Sequence, residues 1–244
     1  MISYSPLSRS AASSHLDGTG LSQESPLLPA QTSARQHWLL WLAASFLVSV
    51  PVFIEAPLVR LLPLLSVLVG IGMGWLGDRW RQQELQPVWS DLLVGFSWTW
   101  IAGSLYWGWF RWEPYWHLPI EAIGLPFALW AIGQNRGLVG HFFYLGSLLG
   151  TAITDLYFYQ THLIPYWRHL MQVDEVMARP ILRSALTHIQ TPAGLLWAIA
   201  LAALLLLIGL IPLRSPKLHW WAFSGAVIST LIVDGLFGLL AYLA

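Results

Sequence analysis

The chain contains no cysteine among its 244 residues. That excludes disulfides, thiolate nucleophiles and Cys-ligated metal or iron-sulfur centres. Charge is nearly as scarce: Asp, Glu, Lys and Arg together make up 10% of the residues, whereas a soluble chain carries about 25%. So little charge does not cover a water-exposed surface of this size. Twelve basic residues balance twelve acidic ones, and with no basic run to neutralise phosphates a nucleic-acid partner is excluded. Also missing are a His-Glu-x-x-His zinc site, a Gly-x-Ser-x-Gly nucleophile elbow and a phosphate-binding glycine loop. The chain is therefore expected not to be an enzyme and to need no cofactor or metal.

Apolar sequence is what the chain does have. The hydrophobic share is 56% and the mean hydropathy +0.59. Its 16 tryptophans suit a molecule that meets both hydrocarbon and water. Residues 1–36 differ: Ser-rich and without periodicity, they read as a disordered cytoplasmic tail. The first apolar run starts only at Trp38, too late for the core of a cleavable leader.

From there the expected fold is all-α, a polytopic transmembrane bundle over residues 37–244. About 20 apolar residues cross the ~30 Å hydrocarbon layer. On that rule the spans are Trp38–Phe53, Leu58–Leu76, Leu92–Phe110, Leu118–Gly133, Leu138–Phe158, Ala193–Leu213 and Leu218–Ala244. The Pro51, Pro57 and Pro63 series interrupts the first two, so a kinked or re-entrant hairpin, with five or six full crossings, stays open. A long outer loop is expected over residues 159–191, with an amphipathic helix within Val173–Ile189 that Pro180 would break or kink. With the N-terminus inside, Arg9, Arg35, Arg79, Arg81, Arg136, Arg214 and Lys217 fall on the cytoplasmic side. Arg60, Arg111, Arg168, Arg179 and Arg183 fall outside. That bias gives an N-in, C-out orientation.

Acids within these spans are the candidate functional residues, because a charge in hydrocarbon costs at least ~2.5 to 3.5 kcal/mol. In the N-in topology Glu55, Glu121, Asp155 and Asp234 gather on the outer side. Thr151-x-Ile-x-Asp155-x-x-Phe158 recurs as Thr230-x-Ile-x-Asp234-x-x-Phe237. The pattern places Thr151 and Thr230 one helical turn before an acid, within reach of its carboxyl group. Arg60 and Arg111 are the nearby charge partners by sequence. Two readings stay open: helix-end packing residues, or an outward-facing polar pocket for a cation, proton or cationic solute.

Gly70-xxx-Gly74 and Gly146-xxx-Gly150-xxx-Thr154 are small-residue ridges, read as packing seams within the chain rather than dimer interfaces. The aromatic run from Trp98 to Trp116 reads as an interfacial belt, with a pigment- or quinone-contacting surface as the alternative. His141 is the only histidine well inside a span, and no second histidine shares its helix at haem-pair spacing. It reads as a hydrogen-bonded packing residue.

The segments Asp91–Trp98, Tyr106–Pro114, Glu121–Trp130, Gly150–Tyr159, Leu218–Phe223 and Val233–Phe237 resemble, in order, a cyanobacterial membrane-protein family catalogued only as a domain of unknown function. The resemblance runs from about Trp38 to the C-terminus. It implies a multi-pass protein of a thylakoid or plasma membrane and no particular activity. The leading expectation is an accessory or assembly partner of a membrane complex, with lipid and other subunits as its partners. A small transporter or substrate-capture subunit is the rival.

Overall fold

A computed structural model describes residues 33–243, and the expected tail, residues 1–36, lies almost wholly outside them. Among the described residues every regular element is helical. In chain order they are α1 (Ala34–Ser49), α2 (Pro51–Leu61), α3 (Pro63–Gln82), α4 (Pro87–Leu105), α5 (His117–Glu121), α6 (Leu125–Gly133), α7 (Leu138–Gln160), α8 (Ile164–Leu170), α9 (Glu175–Ile189), α10 (Pro192–Leu210) and α11 (Leu218–Leu243). A π-helical turn, Tyr106–Phe110, ends α4. Three stretches are long and apolar enough to cross a membrane: Ala34–Leu61, Pro192–Arg214 and Leu218–Leu239.

The three early prolines do not act alike. Val50 stays in the right-handed helical region and still donates to the Phe46 carbonyl, so α1 runs on into α2. Pro51 occupies the first turn of α2, where the missing N–H costs little. Only Pro63 ends the rod, because a residue before proline disfavours helix; Leu62 takes φ −140°, ψ 66°. The expected first boundary at Phe53 therefore moves to Leu61, and Glu55 sits inside the first apolar rod rather than at its tip.

The expected fourth segment is not one helix. Pro126 lacks an N–H for the Ala122 carbonyl, and Leu125 donates there by a 3₁₀ bond instead. That frees the Glu121 carbonyl, which accepts a 2.6 Å hydrogen bond from the Tyr144 hydroxyl of α7. Glu121 thus sits at a break between two short helices. The expected long loop is also mostly helix, since α8 and α9 fill it. Asp174 caps α9 by accepting from the Met177 N–H, and Pro180 lies within the helix without ending it.

Packing is set by small residues. A Cβ on Gly95 would meet the Gly140 carbonyl, and one on Gly140 would meet the Asp91 carbonyl, so α4 and α7 touch backbone to backbone. Gly146 faces the Phe223 carbonyl and Gly150 faces Thr230, while Gly70 and Gly74 of α3 face Ile101 and Ser97 of α4. Both ridges seen in the sequence therefore pack within the chain. On α7 and α11 the pairs 146/223, 150/230 and 154/234 rise together, so the two helices run parallel. The core joins α1, α4, α7 and α11 through Leu40, Ala44, Leu92, Phe96, Trp100, Val139, Phe143, Ala222 and Ala226. All four helices start at one end of the bundle, the first end. Their far ends, with the Leu62 turn, the π-turn, α8 and α9, form the second end.

Candidate functional site: a polar cluster at the second end

Glu55 points from α2 toward α4. Ser104 donates to its Oε1 at 2.9 Å, and Ser104 also lies 2.7 Å from the Ser66 hydroxyl of α3. Since Ser104 has one proton and gives it to Glu55, Ser66 is the donor in the second bond. Gly103 leaves room for the carboxylate: a Cβ there would stand 3.1 Å from Oε1.

Asp155 of α7 faces α5. Its Oδ1 lies 2.8 Å from His117 Nδ1, and its buried Oδ2 has no hydrogen-bond partner. The His117 ring packs on Tyr106, with centroids 4.3 Å apart. Glu121, one turn beyond His117 on α5, is buried and close enough to feel the charges of both His117 and Asp155. Across the seam with α11, Thr154 donates to Asp234 Oδ2 at 2.9 Å, and Asp234 feels the charge of Asp155. Glu55, Glu121, Asp155 and Asp234 all lie toward the second end, on α2, α5, α7 and α11.

Their partners differ from those the sequence suggested. Thr230 bonds back to the Ala226 carbonyl, the usual local outlet for a mid-helix threonine, and lies against Gly150. It does not hold Asp234. Thr151 does not hold Asp155, whose one bonded oxygen takes His117. Arg60 is exposed, and Arg111 donates to the Trp107 carbonyl and lies over the Trp112 ring. Neither arginine forms an ion pair among the described residues, where the pairs are Arg81–Asp78, His117–Asp155 and Arg168–Glu113. Short hydroxyl and imidazole side chains on facing helices reach the acids instead, while Arg60 is exposed and Arg111 is turned to the Trp107 carbonyl.

The aromatic run grades from buried to exposed, with Trp98, Trp107 and Trp109 between. Trp100 and Tyr106 are buried, and Trp100 donates to the Ser66 carbonyl. Phe110, Trp112, Tyr115 and Trp116 are 39 to 57% exposed. Between them the turn is fixed. Trp167 of α8 donates to the Arg111 carbonyl at 2.7 Å, and Arg168 grips both oxygens of Glu113 at 2.8 and 2.9 Å. That guanidinium holds the Glu113 carboxyl below the usual glutamate range.

At the first end Asp91 caps α7, accepting from the Val139 and Gly140 N–H groups at 2.8 and 3.3 Å. His141 beside it is buried, but its Nδ1 has no hydrogen-bond partner, so the expected hydrogen-bonded role is not what this nitrogen has. Two surface cavities of about 310 and 410 Å³ also lie at this end, lined by His37, Arg214 and Trp221 and by Ile211, Ser215 and Trp220. No group of three or more His, Asp and Glu among the described residues is arranged to hold a metal ion.

Sequence reasoning missed His117, Ser104, Ser66 and Thr154. His117 carried a signal, standing four residues before Glu121 on one helical face; the hydroxyls carried none. No curated protein and no solved structure matches the chain. A family model described as a protein of unknown function, DUF3120, matches residues 44–242, and the chain belongs to that family.

Proposed function

We propose that this membrane protein is a non-enzymatic partner subunit of a larger membrane complex, docking through the aromatic corner between α4 and α5. The observation that supports this most is the exposure of Phe110, Trp112, Tyr115 and Trp116 on a backbone already fixed by Trp167 and Arg168. Rigid Trp and Tyr side chains lose little entropy on binding and dominate interface energetics. A transport role asks for acids open to a cavity. Here Glu55, Asp155 and Asp234 each meet Ser104, His117 or Thr154 of the same chain.

Seven crossings, with the N-terminus in the cytoplasm, belong to the same proposal. The helices α3, α4 and α7 have 20, 19 and 23 residues, which at 1.5 Å per residue reach about the hydrocarbon thickness. The arginine bias favours the first end as cytoplasmic. The resemblance to a cyanobacterial family suggests a thylakoid or plasma membrane.

Solubilisation of native membranes in mild detergent, followed by affinity capture of the full chain and native electrophoresis, tests the proposal. The expected result is one complex of higher mass, weakened roughly thirtyfold by Trp112→Ala or Trp116→Ala, about 2 kcal/mol each. Migration as a lone chain in several mild detergents would refute it.

A further inference from the structure

The polar cluster at the second end holds more acid than its own partners satisfy. Full ionisation of Glu55, Glu121, Asp155 and Asp234 would set four negative charges against one imidazole, that of His117, in an apolar surrounding. Hydrocarbon opposes that, since each unpaired charge is costly there. The neighbouring elements do not relieve the charge. Tyr106 faces the cluster from the π-turn, Tyr159 from α7 and Glu113 from the turn beyond, and Arg168 is engaged by Glu113. Helices α6 and α10 bring no ionisable side chain at all.

One atom of the cluster is left without a partner. Asp155 is 8% exposed, yet its buried Oδ2 has no hydrogen-bond partner. A buried carboxylate oxygen left bare is costly, and an O–H bond there would remove the charge that makes it so. With Nδ1 of His117 donating to Oδ1, a further proton can bond at Asp155 Oδ2 or at His117 Nε2. We propose that His117, Glu121 and Asp155, with Asp234 behind Thr154, form a proton-binding site that exchanges with water at the second end of the bundle. The proton leaves a hydronium ion or a buffer acid and is shared in equilibrium between an N–H bond at Nε2 and an O–H bond at Oδ2. The pair changes from one net negative charge to none, with no electron transferred. Entry is through His117, whose side chain is 21% exposed against 11% for Asp155. A proton, rather than a metal ion, is the ligand, since no three ligating side chains here converge in the arrangement that an ion needs. The site does not depend on the proposed docking role.

The test uses the full chain in lipid nanodiscs, with ¹³C-labelled aspartate carboxyls and ¹⁵N-labelled histidine. Infrared difference spectra across a pH series read carboxyl protonation, and imidazole ¹⁵N shifts read His117, assigned by its loss in His117→Gln. The wild type is expected to show an aspartic-acid band that interconverts with carboxylate in step with the His117 signal. In Asp155→Asn that band is expected to vanish and the His117 midpoint to move by about 1 to 3 pH units, the effect of losing a charge at hydrogen-bond distance. Thermal melts check that each variant is folded. Should Asp155→Asn not fold, Asp234→Asn keeps an acceptor for Thr154 and is expected to displace the His117 midpoint by a smaller amount. A wild-type protein with no titrating aspartate band overturns the proposal, and so does a folded Asp155→Asn or Asp234→Asn whose His117 titrates as in the wild type.

Discussion

The two ends of the bundle handle their carboxylates in opposite ways. At the first end Asp91 meets two backbone N–H groups of α7, on a helix pair so close that Gly95 and Gly140 touch. Those donors are fixed, carry no exchangeable charge and are aligned with a helix N-terminus that favours an anion. At the second end Glu55, Asp155 and Asp234 meet side chains instead, each able to turn or titrate. A carboxylate bound to backbone is a fastener. One bound to imidazole and hydroxyls has partners that can turn away. The contrast separates scaffold from site better than burial does, because Asp91 and Asp155 are equally exposed at 8%.

Substitutions at the two ends sharpen this contrast. The largest effect is expected from Gly140→Leu, which drives a side chain into the Asp91 carbonyl and separates α4 from α7. Overpacking of this kind costs about 3 kcal/mol or more, and the variant should lose its cooperative thermal transition in detergent. Asp91→Ala comes next, with a loss of about 1 to 2 kcal/mol for a helix cap. Asp91→Asn should recover most of it, because the amide oxygen still accepts; equal melts for Ala and Asn would show that the cap does not matter. Thr154→Val at the second end removes one hydrogen bond between membrane helices, worth about 0.6 to 1 kcal/mol, and urea or SDS titration should register it. A larger loss there than for Asp91→Ala would invert the comparison.

The smallest effect concerns Glu113, outside the apolar segments. Its folded-state carboxyl is acidified by Arg168, so the pair adds stability above the ordinary glutamate range. That contribution is lost as pH falls through the lowered folded value. Because both side chains are about a third or more exposed, salt should screen most of it. The thermal midpoint of Glu113→Gln should therefore match the wild type in strong acid and fall slightly below it at neutral pH and low salt.

Apolar lengths and small-residue ridges were legible because they are local: a run of hydrophobic residues or a Gly-xxx-Gly pair reads the same in any helix. Prolines were not, since Pro51 and Pro63 look alike in sequence while one opens a turn within a continuous rod and the other ends it. The acids themselves stood out by their rarity among apolar residues. Their partners did not, because they lie on other helices: His117 is 38 positions from Asp155, Ser104 is 49 from Glu55 and Thr154 is 80 from Asp234. The repeated Thr-x-Ile-x-Asp pattern pointed to the right seam between α7 and α11 but to the wrong hydroxyl. A threonine one turn before an acid has a nearer acceptor in its own helix, the carbonyl four residues back.

Helix α10 is set apart from the other long helices by its side chains. It buries only Gly194, Leu201, Leu205 and Gly209, a single narrow stripe, and turns Leu196, Ile199, Leu207 and Leu210 outward. Between Pro192 and Leu210 it has no hydroxyl or ionisable side chain with which to tie itself to a neighbour. In a bilayer these outward residues would meet acyl chains, so its hold on the bundle should vary with the solvent that replaces them. As short-chain detergent is substituted for lipid, α10 should be the first long helix to exchange its amide hydrogens, while α4 and α7, locked backbone to backbone, should be the last.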